Sequence, residues 1–340
     1  LASGRVPDMM DCAGSVKLEG AIAQNLLMDL KPYIDENGLE AQVGANYEQN
    51  QVDGKIYTVS IGLASIGMWV NTDVLEATGA TMPEEWTTWE AFADAMETVR
   101  VNGEAMGYYS YGSGQGSIRM FNAALAATPA GAEMLKGPLT ADAINSEEFA
   151  DAFRTVATLD QQNGSANSSV NANDFAADFN NGLSAVFING VWGASQFAGS
   201  DNFVSCIYPN SVAISSANTG LYVANDLSDA QKELALEFIK YMTSEEVQSR
   251  YFLETSSNPI NENVDIQKLA QESGDPTALK LAEACDKCNK ADTIVLAIDV
   301  CWGNDVGGAL QNKFAECAVA GTDIEAKLAE LQAELTALIG

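Results

Sequence analysis

Short apolar runs, none long enough for a helix, alternate along this 340-residue chain with capped segments of helical period. That alternation restricts the chain to an α/β architecture. Residues 55–59, 66–70, 108–111, 184–188 and 204–208 are rich in β-branched and aromatic side chains and read as strands. Thr87-Thr88-Trp89-Glu90 has the capping-box pattern and leads into Phe92, Ala93, Met96 and Val99 at helical spacing. Ser228-Asp229-Ala230-Gln231 is a second such start, with Leu234, Ala235, Phe238, Ile239 and Met242 on one predicted apolar stripe. Thr322-Asp323-Ile324-Glu325 opens the last predicted helix, whose Leu328, Leu331, Leu335 and Leu338 point to packing against a domain. About two heptads are too few for a coiled coil.

One run bears on function. Ala185, Val186, Phe187 and Ile188 read as a strand covered on both faces. Asn189 and Gly190 then read as a turn, because both residue types tolerate positive φ. Trp192 stands just beyond, where an indole serves either core packing or the floor of a ligand cleft.

Length suggests two domains, and 47% hydrophobic with 19% charged residues is the composition of a soluble globular protein. No stretch of 18 apolar residues is present, so no membrane span is expected. The formal charge of −30, from 47 acidic and 17 basic residues, repels phosphate backbones and anionic lipid. Nucleic acid and electrostatic membrane docking are therefore excluded as partners, while neutral or cationic ligands remain. The chain has no histidine, which removes Ser-His-Asp and Cys-His nucleophile pairs and His-containing metal sites. No cofactor is implied. Two-carboxylate chemistry survives that exclusion, although the acidic residues are too numerous for a pair to be singled out.

Six cysteines occur, at 12, 206, 285, 288, 301 and 317. Cys285 and Cys288 form a CxxC late in a helical-looking run, whereas redox CxxC motifs open a helix. A four-thiolate zinc site shows two close pairs, and Cys301 and Cys317 are not one. Buried thiols or a structural disulfide are the favoured readings, ahead of metal. Residues 111–117, YGSGQGS, lack the Lys-Ser/Thr of a P-loop and read as a strand-to-helix loop whose amides can touch a neutral polar ligand. Trp192, Trp302, Tyr108, Tyr109 and Tyr111 lie near predicted loop edges, where aromatic faces stack on sugar C–H surfaces or on cations.

Four segments in order resemble the extracellular solute-binding proteins of ABC importers, the large family typified by maltose-binding and other sugar-binding proteins. LASGRVPDMM (residues 1–10) is similar to that family's SG-x-x-PD strand. Residues 53–96, DGKIYTVSIGLASIGMWVNTDVLEATGATMPEEWTTWEAFADAM, match its G-K-x-Y strand, Asn-x-Asp strand end and Trp-led helix start. FNNGLSAVFINGVWGASQF (179–197) is similar to its G-x-W segment, and LSDAQKELALEFIKYMTSEEVQSRYF (227–252) to its paired helices.

The resemblance implies a type II periplasmic-binding-protein fold: two α/β lobes with a ligand cleft and crossing hinge strands. Lobe 1 would comprise residues 1–105 plus 210–256, and lobe 2 residues 106–209 plus 257–340. It implies that a strand, helix and strand, a signal sequence and a lipid-anchoring cysteine belong ahead of residue 1. Site residues carried over from it are Trp192 and Trp302 as stacking aromatics, with Asp11, Ser15, Ser65, Gln115, Ser117 and Arg119 as polar contacts. The implied function is capture of a mono- or oligosaccharide by hinge closure and its delivery to permease subunits. The protein would act without enzymatic turnover, as a monomeric cell-surface lipoprotein or periplasmic protein. The alternatives are a polyamine or other cation in the same fold, and a carboxylate-based glycosidase or lyase.

Overall fold

In the computed structural model, which describes residues 6–11, 18–109, 115–163, 172–197, 200–217 and 220–340, each predicted strand is present in part or whole, and residues 110 and 111 of the predicted 108–111 strand lie outside the described residues. In chain order the strands are β1 (Met9–Asp11), β2 (Gln51–Val52), β3 (Lys55–Ile56), β4 (Gly62–Asn71), β5 (Met106–Tyr109) and β6 (Ser184–Gly190). There follow β7 (Phe203–Cys206), β8 (Val212–Ala217), β9 (Leu221–Val223), β10 (Asn258–Pro259) and β11 (Thr293–Val295). The run at 55–59 divides: β3 pairs with β2, while Val59 makes an isolated bridge to Leu221. Asp53 and Gly54 between β2 and β3 both have positive φ, 51° and 75°, as a two-residue hairpin turn requires.

The chain divides into two units. One holds the described residues up to Ala64 together with Ser216–Ala282, the other Ser65–Ser215 and Glu283–Gly340. The boundaries therefore fall at 64/65, 215/216 and 282/283, and not at the expected 105/106, 209/210 and 256/257. The difference has a packing reason. The helix Trp89–Asn102 seats Phe92, Met96 and Val99 in the same core as Tyr108 of β5, so residues 65–105 belong with β5 and β6. Conversely, β10 pairs with the first residues of β4, and Asn261 Nδ2 donates to Thr243 O at 2.8 Å, which keeps 258–282 with the first unit.

In the first unit β1 lies antiparallel to β9, Met9 opposite Val223, and Leu30, Ile34, Val43, Ile56, Val59 and Ile239 form the core. The helix Asp229–Met242 carries the predicted capping box, with the Ser228 N–H donating to Gln231 Oε1 at 3.2 Å. Its buried face is narrower than predicted. Ala235, Leu236 and Ile239 turn inward, whereas Leu234 and Phe238 are exposed.

The second unit is built on a sheet of order β11-β8-β4-β6-β5, with β7 also paired to β4. β5 and β6 are parallel, as are β8 and β11, while β4 runs antiparallel to β6. Ala185, Val186, Phe187 and Ile188 of β6 are all buried, as expected of a continuous apolar strand covered on both faces. Over the sheet the helices Gln115–Ala126, Glu147–Asn163 and Asn304–Cys317 interlock through Phe121, Phe149, Phe153 and Phe314. The ring centroids are 5.1 Å apart for Phe121–Phe149 and 5.0 Å for Phe153–Phe314, inside the range in which aromatic pairs add to area burial. Leu328, Leu331 and Leu335 of the last helix are buried against this core, and Leu338 is exposed near its end. The N-cap of the helix Trp89–Asn102 is Thr88, one residue after the predicted cap, its hydroxyl accepting from Ala91 N at 3.2 Å. Among the described residues no helix is long and apolar enough to cross a membrane.

Candidate functional site

Trp192 is set by the end of β6. The strand continues through Asn189 and Gly190, and Val191–Gly193 then makes one 3-10 turn. Gly190 has φ −77° and ψ 173°, an extended conformation open to any residue, so the expected positive-φ turn does not form. Glycine stands here for space. A Cβ at 190 would lie 2.1, 2.2 and 2.4 Å from three consecutive ring atoms of Trp192, Cζ3, Cη2 and Cε3. Behind the turn, Trp69 Nε1 donates to Gly190 O at 2.9 Å, and a Cβ at Gly193 would come within 2.5 Å of that same nitrogen. Trp69 is fully buried and packs on Phe197 with centroids 5.2 Å apart. Trp192 itself remains 40% exposed, an apolar ring held at the surface by a rigid strand end.

Other predicted contacts occupy different settings. Arg119 pairs with Asp299 through a short contact between Nη1 and Oδ1. Burial alone would raise the Asp299 carboxyl, but the hydrogen bond and charge of Arg119, with a backbone amide, hold it below its ordinary value. Asn122 steadies the acidic partner by donating to Leu296 O at 3.2 Å and accepting from Ile298 N at 2.9 Å. Ser65 is buried, with its hydroxyl 3.3 Å from that of Ser215. Asp11 is exposed at the end of β1, opposite Leu221. Gln115 opens its helix, but its side chain, and Ser15 entirely, lie outside the described residues.

Trp302 is 8% exposed, stacks on Phe149 with centroids 6.3 Å apart, and donates from Nε1 to Met134 O at 3.2 Å. The structure places it within the core of the second unit. Ser117 is also buried, beside the carboxyl of Asp160 but short of a formed hydrogen bond. Asp160, which no sequence motif singles out, accepts from Tyr108 Oη at 2.5 Å. Burial pushes its carboxyl up to about 7, against the opposing pull of Ser117 and Tyr108. The same burial, with the facing carboxylate, holds the Tyr108 hydroxyl well above the ordinary tyrosine range. A signal was available: Phe149, Phe153, Val156 and Asp160 share one helical stripe, and a lone carboxylate on an apolar stripe must find a partner.

Cys285 and Cys288 both lie in the helix Pro276–Asn289 as free, buried thiols, and Cys206, Cys301 and Cys317 are free as well. Cys206 and Cys288 line a small cavity with Gly67, Asn189 and Lys287. Burial pushes the thiols of Cys206, Cys288 and Cys301 up to about 12 and that of Cys317 to about 11. Thiolate is therefore scarce at neutral pH, and reactivity with it. Brief treatment with an aromatic disulfide reagent at pH 8 is expected to leave the peptides carrying Cys285, Cys288 and Cys317 unlabelled until denaturant is added. Full labelling of the native protein, read by peptide mass, would contradict the burial.

A profile of the family described as bacterial extracellular solute-binding protein matches residues 1–277. Curated protein sequences contain no match. Among solved structures, the chain is 41% identical to a solute-binding protein of Streptococcus pneumoniae in complex with the blood group A-trisaccharide. That similarity has a TM-score of 0.92 and covers 99% of this chain and 86% of the other. The chain is also similar to a chitin oligosaccharide binding protein, at 19% identity and TM-score 0.79 over 99% and 84% of the two chains. To the sugar-binding protein MalE of Xanthomonas citri it is 17% identical, with TM-score 0.77 over 99% and 86%. The last two similarities concern the fold.

Proposed function

Because the chain belongs to the bacterial extracellular solute-binding proteins, we propose that it captures a carbohydrate outside the cell and delivers it to the permease of an ABC importer. The observation that carries this reading is Trp192, an indole left 40% exposed at the end of a buried strand. An exposed indole costs solvation unless something covers it, and the C–H face of a pyranose is a matching cover. The 41% identical pneumococcal protein, solved with a trisaccharide, supports the same ligand class. The family and these structural relatives are binding proteins, and we infer binding without turnover for this chain. A neutral sugar is also compatible with the formal charge of −30, which repels anionic ligands.

The test is calorimetric titration with the blood group A-trisaccharide and a panel of other oligosaccharides, at low and high salt. Binding is expected to vary little with ionic strength, since a neutral ligand releases no counterions, whereas a polyamine would lose affinity as salt rises. Trp192→Ala is expected to weaken binding by about 2 kcal/mol, about thirtyfold, as removal of a central aromatic contact does. Unchanged affinity in a folded Trp192→Ala protein would remove the residue from the site. No binding across the panel would remove the carbohydrate reading itself.

A further inference from the structure

The geometry assigns Gly190 as the positioning residue of the Trp192 indole, seating one face of the ring on bare backbone so that only the opposite face is offered to a pyranose. This rests on the reading of Trp192 as the carbohydrate platform. It adds which residue holds the ring and how many faces the ring can offer.

Three facts carry it. First, the distances from a Cβ at 190 to Cζ3, Cη2 and Cε3 of Trp192 are nearly equal, at 2.1, 2.2 and 2.4 Å. A point approaching in the plane of the ring would be close to one atom and well separated from its neighbours. Near-equal distances to three consecutive atoms belong to a point above the ring's face. The benzo ring thus lies flat over Gly190, and that face is closed to ligand. Second, φ −77° and ψ 173° make no demand for glycine, so the seat is the reason that fits the absence of a side chain. Third, the seat is fixed from behind. Gly190 O accepts from Trp69 Nε1 at 2.9 Å, and Trp69 is locked in the core against Phe197 and across from Phe187 of β6. An exposed tryptophan on a flexible turn would lose rotamer freedom when a ligand immobilises it; one already laid on rigid backbone loses less, and the saving appears as affinity.

The experiment uses Gly190→Ala, Trp192→Ala, the double variant and Trp192→Phe references in both the wild-type and the Gly190→Ala backgrounds, with the blood group A-trisaccharide, or the best binder of the panel, as probe. Emission and acrylamide quenching of Trp192 are taken as the difference between each protein and its Trp192→Phe counterpart. They need no ligand. The methyl added by Gly190→Ala collides with the ring, so Trp192 must leave its seat: its emission should shift to the red and its quenching rise. Trisaccharide affinity should fall by about tenfold, and the double variant should bind no more weakly than Trp192→Ala. The double variant should also recover the thermal stability that Gly190→Ala loses, because the added methyl then has room. Unchanged quenching of Trp192 in Gly190→Ala, or an equal further loss of affinity when Gly190→Ala is combined with Trp192→Ala, overturns the proposal. If Trp192→Ala binds like the wild type while Gly190→Ala still raises quenching, the platform reading fails and Gly190 loses its ligand role, although the seat stands.

Discussion

Asp160→Asn is expected to be more stable than the wild-type protein at pH 8 by about 4 kcal/mol. In the folded chain the Asp160 carboxyl is pushed from 3.8 to about 7 by burial. The folded state therefore holds a proton that the unfolded chain has already released above pH 4. Stability is greatest below the unfolded value and is lost as pH rises towards the folded one. By pH 8 the wild type must carry a buried carboxylate, facing Tyr108 and Ser117, with Cys317 also within electrostatic reach. Asparagine keeps an oxygen for Tyr108 Oη and places an N–H beside Ser117 without ever charging. The advantage of the variant should grow by about 3 kcal/mol between pH 5 and pH 8. Urea unfolding of both proteins across that range measures the difference directly, and the other titrating groups cancel in it. Parallel pH profiles would mean that Asp160 is ionised in the native state without penalty.

Trp302→Ala is expected to cost about 3–5 kcal/mol of stability, the usual loss for truncating a large buried aromatic. The change removes the stacking on Phe149 and leaves Met134 O without its indole donor in a core that cannot easily collapse. Denaturant unfolding should show the loss, and carbohydrate affinity of the remaining folded protein should change little. A variant of nearly normal stability that fails to bind would return Trp302 to the ligand surface, where the family resemblance placed it.

The contrast between the two tryptophans marks what the sequence could convey. Strands and helix starts were legible because their causes are local: the apolar run of β6 and the Ser228 box both act within a few residues. Asn189 and Gly190 misled for the same reason. The dipeptide has a strong local preference for turns, yet here the glycine answers to a ring two residues on, whose direction depends on Trp69 from another strand. Long-range pairs were invisible. Asp160 finds Tyr108 at a separation of 52 residues and Arg119 finds Asp299 at 180, and neither spacing has a periodicity to betray it. Leu234 and Phe238 looked like core because helical period defines a stripe but not where its edges fall; the sheet beneath accepts only Ala235, Leu236 and Ile239.

The pairing of β1 with β9 has a consequence for biogenesis. Asp11 pairs with Leu221, so the first unit cannot close that sheet until the Ser65–Ser215 stretch of the second has been made. At ordinary elongation rates the wait is roughly ten to forty seconds. An extracellular protein exported as an unfolded chain has to pass its translocation channel before it folds. A strand pair joined across some two hundred residues delays the closing of its sheet and keeps the nascent chain competent for export.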